Sequence, residues 1–394
     1  MKVSFFSNFL NHHQLPFCNE MFDVLGKEFK FIATEKIPQE RLELGYEDMN
    51  DKYPYVIRSY ESVKQAIKAR EIGEYYDVVI IGDAPDIYIK ERLKKNKLTF
   101  RYSERVFKNG YIHSLDPRNL ISMWKLHTKY RNYNLRMLCA SGYTACDMAL
   151  FRAYPNKMYK WGYFPEVVKY NIDELLEKKE TGCIKILWVA RLIKFKHPEQ
   201  VVRVAIFLKK QKINFKINII GIGELEEQIK KLIKENKLEE EICLKGAMPP
   251  LKVRKYMEQA NIFLLTSDYE EGWGAVLNEA MNSGCAIVAS HAVGSVPFLI
   301  SHMENGLIYQ YGEDEDLNNK VLELCKKPKL RKKLGENAYK TLLNQWSPRN
   351  AAINFCKLSE ALLKGNEITI PEGPGSKAEI IKQKDAYKCM MKKI

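Results

Sequence analysis

Apolar residues in this chain fall into short continuous runs, separated by stretches with helical spacing. Residues 2–6 and 29–33 read as short strands buried on both faces, because the runs do not alternate with polar positions. A helix over about 19–26 joins them. Residues 60–72 have helical spacing, with Val63, Ala66, Ile67 and Ile72 apolar, and lead into a strand over 77–81 that Gly82-Asp83 ends. Further strands are expected at 98–102 and 135–140. Strands alternating with helices imply a parallel sheet covered on both faces.

Near residue 165 the chain turns polar, and residues 166–182 read as a linker. The alternation then resumes. Strands are expected at 183–190, 215–220, 242–245, 262–266 and 286–290, with helices at 198–210, 224–236, 251–259 and 274–283. A chain of 394 residues exceeds what one core serves. The expected organisation is therefore two doubly wound, Rossmann-like domains, 1–165 and 183–346. Residues 316–364 read as mostly helical, interrupted around Trp346-Ser347-Pro348. Glycine and proline make 365–376 a loop, and 377–394 is expected to form a basic helix. Open α/β sheets bind ligands beyond the carboxyl ends of their strands, so two such sheets in series suggest a cleft where two substrates meet.

Composition narrows the setting. The nine cysteines are scattered, with no CxxC pair and no histidines clustered beside them. They read as free thiols in a reducing compartment, and no metal site is expected. The start, MKVSFFSNFLNHHQ, lacks the features of a signal peptide, and no run of about 18 apolar residues occurs, so a cytoplasmic location is expected. The net charge of +14 suits a polyanionic partner. Residues 90–108 and 124–136 are basic, the second with Trp124, Tyr130 and Tyr133 interleaved. That mixture suits an anionic membrane surface, with the cytoplasmic face of the membrane as the candidate; two solvated helix faces explain it equally. No nucleic-acid module is recognisable, and nucleic acid is not expected as a partner.

The segment 264–294, LLTSDYEEGWGAVLNEAMNSGCAIVASHAVG, carries the strongest chemical signal. Glu271 falls in a loop after an apolar strand, and Glu279 falls in the second turn of the helix that follows. Gly272, Trp273 and Gly274 lie between them. The glycines allow close backbone approach to a ligand. Amides around Gly274, Ala275 and Val276 at the helix start suit an anion such as a diphosphate. A carboxylate can accept from two adjacent sugar hydroxyls. The Gly-Ile-Gly at 221–223 lacks the third glycine of a dinucleotide-binding signal.

This stretch, with the later GSVPFLI, resembles glycosyltransferase family 4, whose fold is GT-B. VARLIKFKHPEQVVRVA is similar to that family's loop after the first donor-domain strand. The resemblance covers about 183–345 and is loose over 1–165. It implies that Glu271 holds the transferred sugar, that Glu279 holds the ribose, and that Arg191 and Lys196 neutralise the donor diphosphate, with Lys194 a rival for the lysine role. Gly246 through Met248 would border the base, UDP being favoured over GDP. No cofactor or metal is implied, because the cations and helix start serve the diphosphate. The C-terminal segment 347–394 would cross back onto the N-terminal domain. The implied activity is retaining, hexosyltransferase-type transfer from a nucleoside-diphosphate sugar to a glycan or lipid-linked acceptor, in bacterial surface polysaccharide synthesis. On the acceptor side, the family's glycine-rich loop is replaced by SNFLNHHQ and its later histidine by Ser103-Glu104-Arg105. Asn11, His13 and Glu104 are the acceptor-side candidates, with Glu104 weighed against a solvated acid at a helix start. Two rivals remain open at this point: a nucleotide-sugar epimerase on the same fold, and a non-catalytic module binding a nucleotide or an anionic membrane.

Overall fold

The computed structural model describes residues 1–394 except 40, 41, 43–46, 109, 112, 113, 115, 393 and 394. Contacts divide the chain into two units, Met1–Glu166 with Trp346–Ile380, and Val167–Gln345 with Ile381–Ile394.

Unit 1 is built on a seven-stranded sheet: β1 (Val3–Ser7), β2 (Phe29–Ala33), β3 (Val56–Arg58), β4 (Val78–Ile81), β5 (Thr99–Ser103), β6 (Leu135–Cys139) and β7 (Met158–Lys160). The order is β3-β2-β1-β4-β5-β6-β7 and every pairing is parallel. Helices α1 (Leu15–Leu25), α2 (Val63–Tyr75), α3 (Lys90–Lys94), α4 (Pro117–Leu126) and α5 (Thr144–Leu150) alternate with the strands. β1 and β4 are buried throughout, as continuous apolar runs require. The short strands β3 and β7 are not visible as apolar runs in the sequence.

Helix α2 corrects one expectation. Val63 and Ile67 were read as part of its apolar face, yet both are exposed; Ala69, Ile72 and Gly73 face the core instead. Gly73 decides which face packs, since a Cβ there would lie 2.0 Å from the carbonyl oxygen of Tyr88. The basic stretch 90–108 is corrected as well. Arg92 is fully buried and donates to the carbonyls of Gly73, Tyr76, Asp77 and Leu98 and to Thr99 Oγ1 at 2.7–3.0 Å. Arg101 pairs with Asp86 at 2.7 Å, Arg105 with the buried Asp147 at 3.4 Å, and Lys94 with Glu91 at 2.8 Å. Lys95 pairs with Glu74, and Lys108 with Glu104. Much of this charge fastens the fold.

Unit 2 has six parallel strands in the order β10-β9-β8-β11-β12-β13: β8 (Ile184–Val189), β9 (Phe215–Ile220), β10 (Ile242–Leu244), β11 (Ile262–Leu265), β12 (Ala286–Ser290) and β13 (Leu307–Tyr309). Its helices are α6 (Ile172–Lys179), α7 (Pro198–Lys210), α8 (Glu226–Glu235), α9 (Pro250–Gln259), α10 (Val276–Asn282), α11 (Val296–Leu299), α12 (Asp314–Lys326) and α13 (Pro328–Asn344). The expected linker 166–182 contains α6, which packs into this unit. Leu176 is buried, and buried Lys179 donates to the carbonyls of Met257 (3.1 Å) and Ser283 (2.6 Å).

Helix α14 (Pro348–Leu363) follows and joins unit 1, because Phe355 sits among Phe17, Phe100 and Trp161 with ring centroids 5.1–6.5 Å away. Residues 347–394 do not all go there. The chain returns to unit 2 at Ile381, where Tyr387 donates to Asp316 at 2.9 Å. The basic helix expected over 377–394 is a short α15 (Ala386–Met391); residues 393 and 394 lie outside the described residues.

Arg92→Met keeps the bulk of the side chain but takes the guanidinium from four carbonyls, with the bonds to Gly73 O and Leu98 O buried and those to Tyr76 O and Asp77 O part-buried. An unsatisfied buried polar group costs about 1–3 kcal/mol, so unit 1 should lose about 3 kcal/mol or more. Urea denaturation followed by amide exchange in β4 and β5 measures this.

Candidate functional site

Two loops meet at the carboxyl ends of the adjacent strands β8 and β11. Beyond β8 the backbone stays in register with β9: Ala190 N donates to Ile220 O at 3.1 Å and Leu192 N to Ile222 O at 2.9 Å. This approach explains the Gly-Ile-Gly motif. A Cβ on Gly221 would lie 1.8 Å from Ala190 O, and one on Gly223 would lie 2.4 Å from Leu192 O. Gly221 also holds φ +139°, and its N–H donates to Gly246 O at 2.9 Å. The motif therefore seats the loop that carries Arg191 and ties it to Gly246, with the half-buried Met248 two residues further on.

A 3-10 turn, Lys194–Lys196, follows and is fastened to the loop after β11. Trp188 Nε1 donates to Thr266 Oγ1 at 2.8 Å, and Thr266 Oγ1 donates to Lys196 O at 2.6 Å. Asp268 N donates to Phe195 O at 3.0 Å. Held in this way, Lys196 Nζ forms an ion pair with Glu271 Oε2, and both side chains are only 13% exposed. Ser267 Oγ donates to the same carboxylate oxygen at 3.1 Å. Screening is weaker there than at an open surface, so the pair couples more strongly than an exposed one. Arg191 and Lys194 are exposed, so geometry favours Lys196 over Lys194 as the partner of the Glu271 loop.

The glycines around Glu271 have separate tasks. Gly274 holds φ +82°, and a Cβ there would press on Val293 Cγ1 at 3.2 Å and Glu271 Cγ at 3.4 Å. The GSVPFLI segment pins the loop from the far side: Gly294 N donates to Glu271 O and Ser295 N to Trp273 O, each at 3.2 Å. Gly272 is buried. Trp273, expected among the donor-contacting residues, has a fully buried ring whose Nε1 donates to Asn278 at 2.9 Å. Its size and apolar surface put it in the core, so only its backbone can meet a ligand. Ala275 is the N-cap of α10 and Val276 its first residue. Glu279 is the fourth residue of α10 and falls in its first turn, not the second, because the helix begins at Val276 rather than at Gly274. Burial raises its carboxyl pKa above the usual range, and the nearby Arg254 opposes the shift.

Three features were not found from sequence. His197 lies between Glu199 and Asp268. Arg254 neighbours Glu279. Beside the Glu271 loop, His291 Nδ1 accepts from Tyr311 N at 2.9 Å, so Nε2 carries the proton of the neutral ring and faces Tyr269 OH at 2.8 Å. Burial lowers the His291 pKa to about 4, which keeps it neutral. Tyr269 OH in turn donates to Gln383 O at 3.3 Å in the returning tail. Spacing gave no signal for these contacts, because Asp268, Arg254, Tyr269 and Tyr311 reach them from elements distant in sequence.

Unit 1 has its own cavity of about 420 Å³ at the carboxyl ends of β1, β4 and β5, where the strand order reverses. Asn8, Asn11, Asp83, Tyr102, Glu104 and Tyr163 help to line it. Glu104 accepts from Tyr163 OH at 2.7 Å and pairs with Lys108; no helix begins at Glu104, contrary to the alternative weighed from sequence. Asn11 turns its Oδ1 back to His13 N (3.0 Å) and Gln14 N (3.1 Å), which shapes the loop. His13 stacks on Tyr163 with centroids 5.7 Å apart; Tyr163 lines the cavity and His13 does not. Among the described residues no group of three or more His, Cys, Asp or Glu could hold a metal ion.

Residues 172–341 match the family model for glycosyl transferases group 1. That segment belongs to the glycosyl transferases group 1 family. The family 4 resemblance read from the sequence fits this match, and the Lys196–Glu271 pair, Glu279 and the Gly221 corner all fall within the segment. The amylovoran biosynthesis glycosyltransferase AmsK of Erwinia amylovora is 33% identical over 170 residues, 42% of this chain and 40% of that protein. The poly(glycerol-phosphate) alpha-glucosyltransferase of Bacillus subtilis is 25% identical over 45% of this chain and 26% of that protein. The chain thus spans less than half the length of these relatives. Anabaena HepE, solved with UDP, superposes with a TM-score of 0.65 at 13% identity, covering 93% of this chain and 100% of that one. The two Rossmann-like units have the GT-B fold of such neighbours.

Gly221→Ala should expel the Ala190–Leu192 segment from its place beside β9. The new methyl has no room and the backbone conformation is strained for alanine, so a loss of about 2 kcal/mol or more is expected. Thermal unfolding with a crystal structure of the variant checks both parts.

Proposed function

We propose that this chain is a retaining glycosyltransferase that moves a hexose from a nucleoside diphosphate, UDP favoured, to a glycan or lipid-linked acceptor. The observation that carries the reading is the Lys196–Glu271 pair at the ends of β8 and β11, with Glu279 in the first turn of α10. Lys196 and Arg191 supply positive charge where the diphosphate departs. Glu271 orients the sugar, and Glu279 accepts from the ribose hydroxyls. In this reading the C1–O bond to the diphosphate breaks as the acceptor oxygen attacks C1 from the same face. The acceptor proton passes to the departing phosphate oxygen. Charge grows on the diphosphate, and fixed cations lower that barrier without a divalent metal. The acceptor sits in the unit 1 cavity, where Asp83 and Glu104 offer carboxylates to its hydroxyls. Relatives named for amylovoran biosynthesis and for poly(glycerol-phosphate) glucosylation support a surface-polymer role.

Because Lys196 pairs with Glu271, a diphosphate must compete with that carboxylate for Lys196. Glu271→Ala should therefore bind UDP as well as wild type or better, while losing transfer by about 10²-fold, the equivalent of about 3 kcal/mol of positioning. Lys196→Ala and Arg191→Ala should weaken UDP binding about tenfold and lower turnover further. Calorimetry with UDP and GDP, and product release across a donor panel with and without acceptors, decides. Loss of UDP binding in Glu271→Ala would move Glu271 from the sugar to the nucleotide.

An anionic membrane is the second partner in this reading, and α4 supports it. Leu120, Ile121 and Trp124 share one face of that helix and are 43%, 54% and 54% exposed. Exposed Lys125, Lys129 and Arg131 follow. Among the described residues no helix is long and apolar enough to cross a membrane, so contact would be interfacial. Leu120→Ser, Ile121→Ser and Trp124→Ser together should lower pelleting with phosphatidylglycerol vesicles at least tenfold. Reversing Lys94, Lys95 and Lys97 should do less, because Lys94 and Lys95 already pair with carboxylates. Equal pelleting of wild type and the apolar triple variant removes α4 as the contact.

A further inference from the structure

We propose that His197 is a positioning residue that clamps the turn carrying Lys196 to the loop carrying Glu271, through hydrogen bonds from both ring nitrogens to carboxylates on two elements. Nδ1 lies 2.9 Å from Glu199 Oε1 at the start of α7, and Nε2 lies 3.1 Å from Asp268 Oδ2 in the loop after β11. Tyr311 OH, beyond β13, is 3.3 Å from Nε2, and the two rings are 5.5 Å apart. A neutral imidazole has one N–H and could satisfy only one of these carboxylates; both nitrogens donate only in the imidazolium form. The clamp is therefore cationic.

Its position makes it consequential. His197 follows Lys196 directly. Asp268 O accepts from Glu271 N at 3.1 Å, and Asp268 N donates to Phe195 O at 3.0 Å. The ring and the backbone thus grip the same aspartate from two sides, three residues before Glu271. His197 also holds φ +51°, in the left-handed region. Glycine would meet that conformation without strain. The residue present instead offers two nitrogens to two carboxylates.

The charged and titratable groups around the ring are Lys194 and Lys196 on its own turn, Glu199 and Arg203 on α7, Asp268 and Glu270 in the β11 loop, and Tyr311. Burial opposes the charge on His197, but the bonds to Asp268 and Glu199 outweigh it and raise the pKa from 6.5 to about 9. A folded value above the unfolded one means that the clamp contributes fully below pH 6.5 and is lost as pH rises through about 9. At neutral pH it is closed.

The inference rests on the glycosyltransferase reading only for its consequence, since the clamp can be measured without a substrate. Three proteins are compared: wild type, His197→Gly, which suits the backbone, and Asp268→Asn, which leaves the ring in place. Hydrogen exchange of the 268–274 amides, corrected for intrinsic rate, should be at least tenfold faster at pH 7 in both variants. In wild type, carbon-13 NMR should show His197 doubly protonated at pH 7 and deprotonating near 9, with protection of the same amides falling over that interval. UDP affinity by calorimetry should fall several-fold in both variants at pH 7, and wild type should approach them by pH 10. If His197→Gly keeps wild-type protection, or the wild-type ring is neutral at pH 7, the clamp is overturned whatever UDP does. If protection is lost as expected and neither wild type nor variants bind UDP or GDP, the clamp stands and the nucleotide reading fails. The wild-type titration decides the matter if either variant does not fold.

Discussion

Every strand pairing in both sheets is parallel, and the rest of the molecule follows from that constraint. A parallel sheet puts all its carboxyl ends along one edge. Loops that leave adjacent strands there become neighbours however distant they are in sequence. β8 and β11 are such a pair, lying side by side where the strand order reverses. Lys196 and Glu271 meet across 75 positions because of it. In unit 1 the same constraint, at β1, β4 and β5, brings Asn8, Asp83 and Glu104 to one cavity.

The contacts that hold the unit 2 loops are mostly backbone hydrogen bonds and buried polar side chains. Thr266 shows the economy of the arrangement: its hydroxyl accepts from Trp188 in the core and donates to Lys196 O at the site. One buried hydroxyl satisfies a core indole and fixes the turn that presents a charge. The glycines work from the opposite side, by leaving room. Gly221 and Gly223 are required where backbone comes too close for a methyl group, and Gly274 where the chain holds φ +82° against the Val293 side chain. The site is rigid where it is crowded, which is what positioning two opposite charges beside each other demands.

The net charge of +14 overstates the basic surface open to a partner. Arg92 caps five acceptors, four of them carbonyls, inside unit 1. Lys179 caps carbonyls inside unit 2, and Arg331 pairs with Glu180 at 2.8 Å while donating to Leu324 O at 2.9 Å. Buried cations of this kind are expensive to desolvate and persist only when their donors are filled. They act as fasteners between loops, and a charge count cannot distinguish them from surface charge.

The sequence alone determined the fold class and the placement of much of the candidate site in unit 2. Short apolar runs at β4, β11 and β12 specify strands buried on both faces, while β8 and β9 read as strands although Lys185, Lys216 and Asn218 interrupt them. Glu271, Glu279 and the glycines between them were legible because strand, loop and helix are consecutive, so local spacing fixes their relation. Three things were not legible. The short strands β3, β7 and β13 carry too few residues to show a period, and β10, of equal length, was placed from the strand–helix alternation around it. The apolar face of α2 was misread, because Gly73 rather than Val63 sets the close approach to its neighbour. The return of the tail to unit 2 depends on Tyr269, His291 and Tyr387, which no local pattern connects. Tertiary structure alone decided that Lys196 rather than Lys194 meets Glu271, that Trp273 is core, and that His197 lies between two carboxylates. Each depends on which side chains converge from different strands, and a periodicity carries no information about the strand next door.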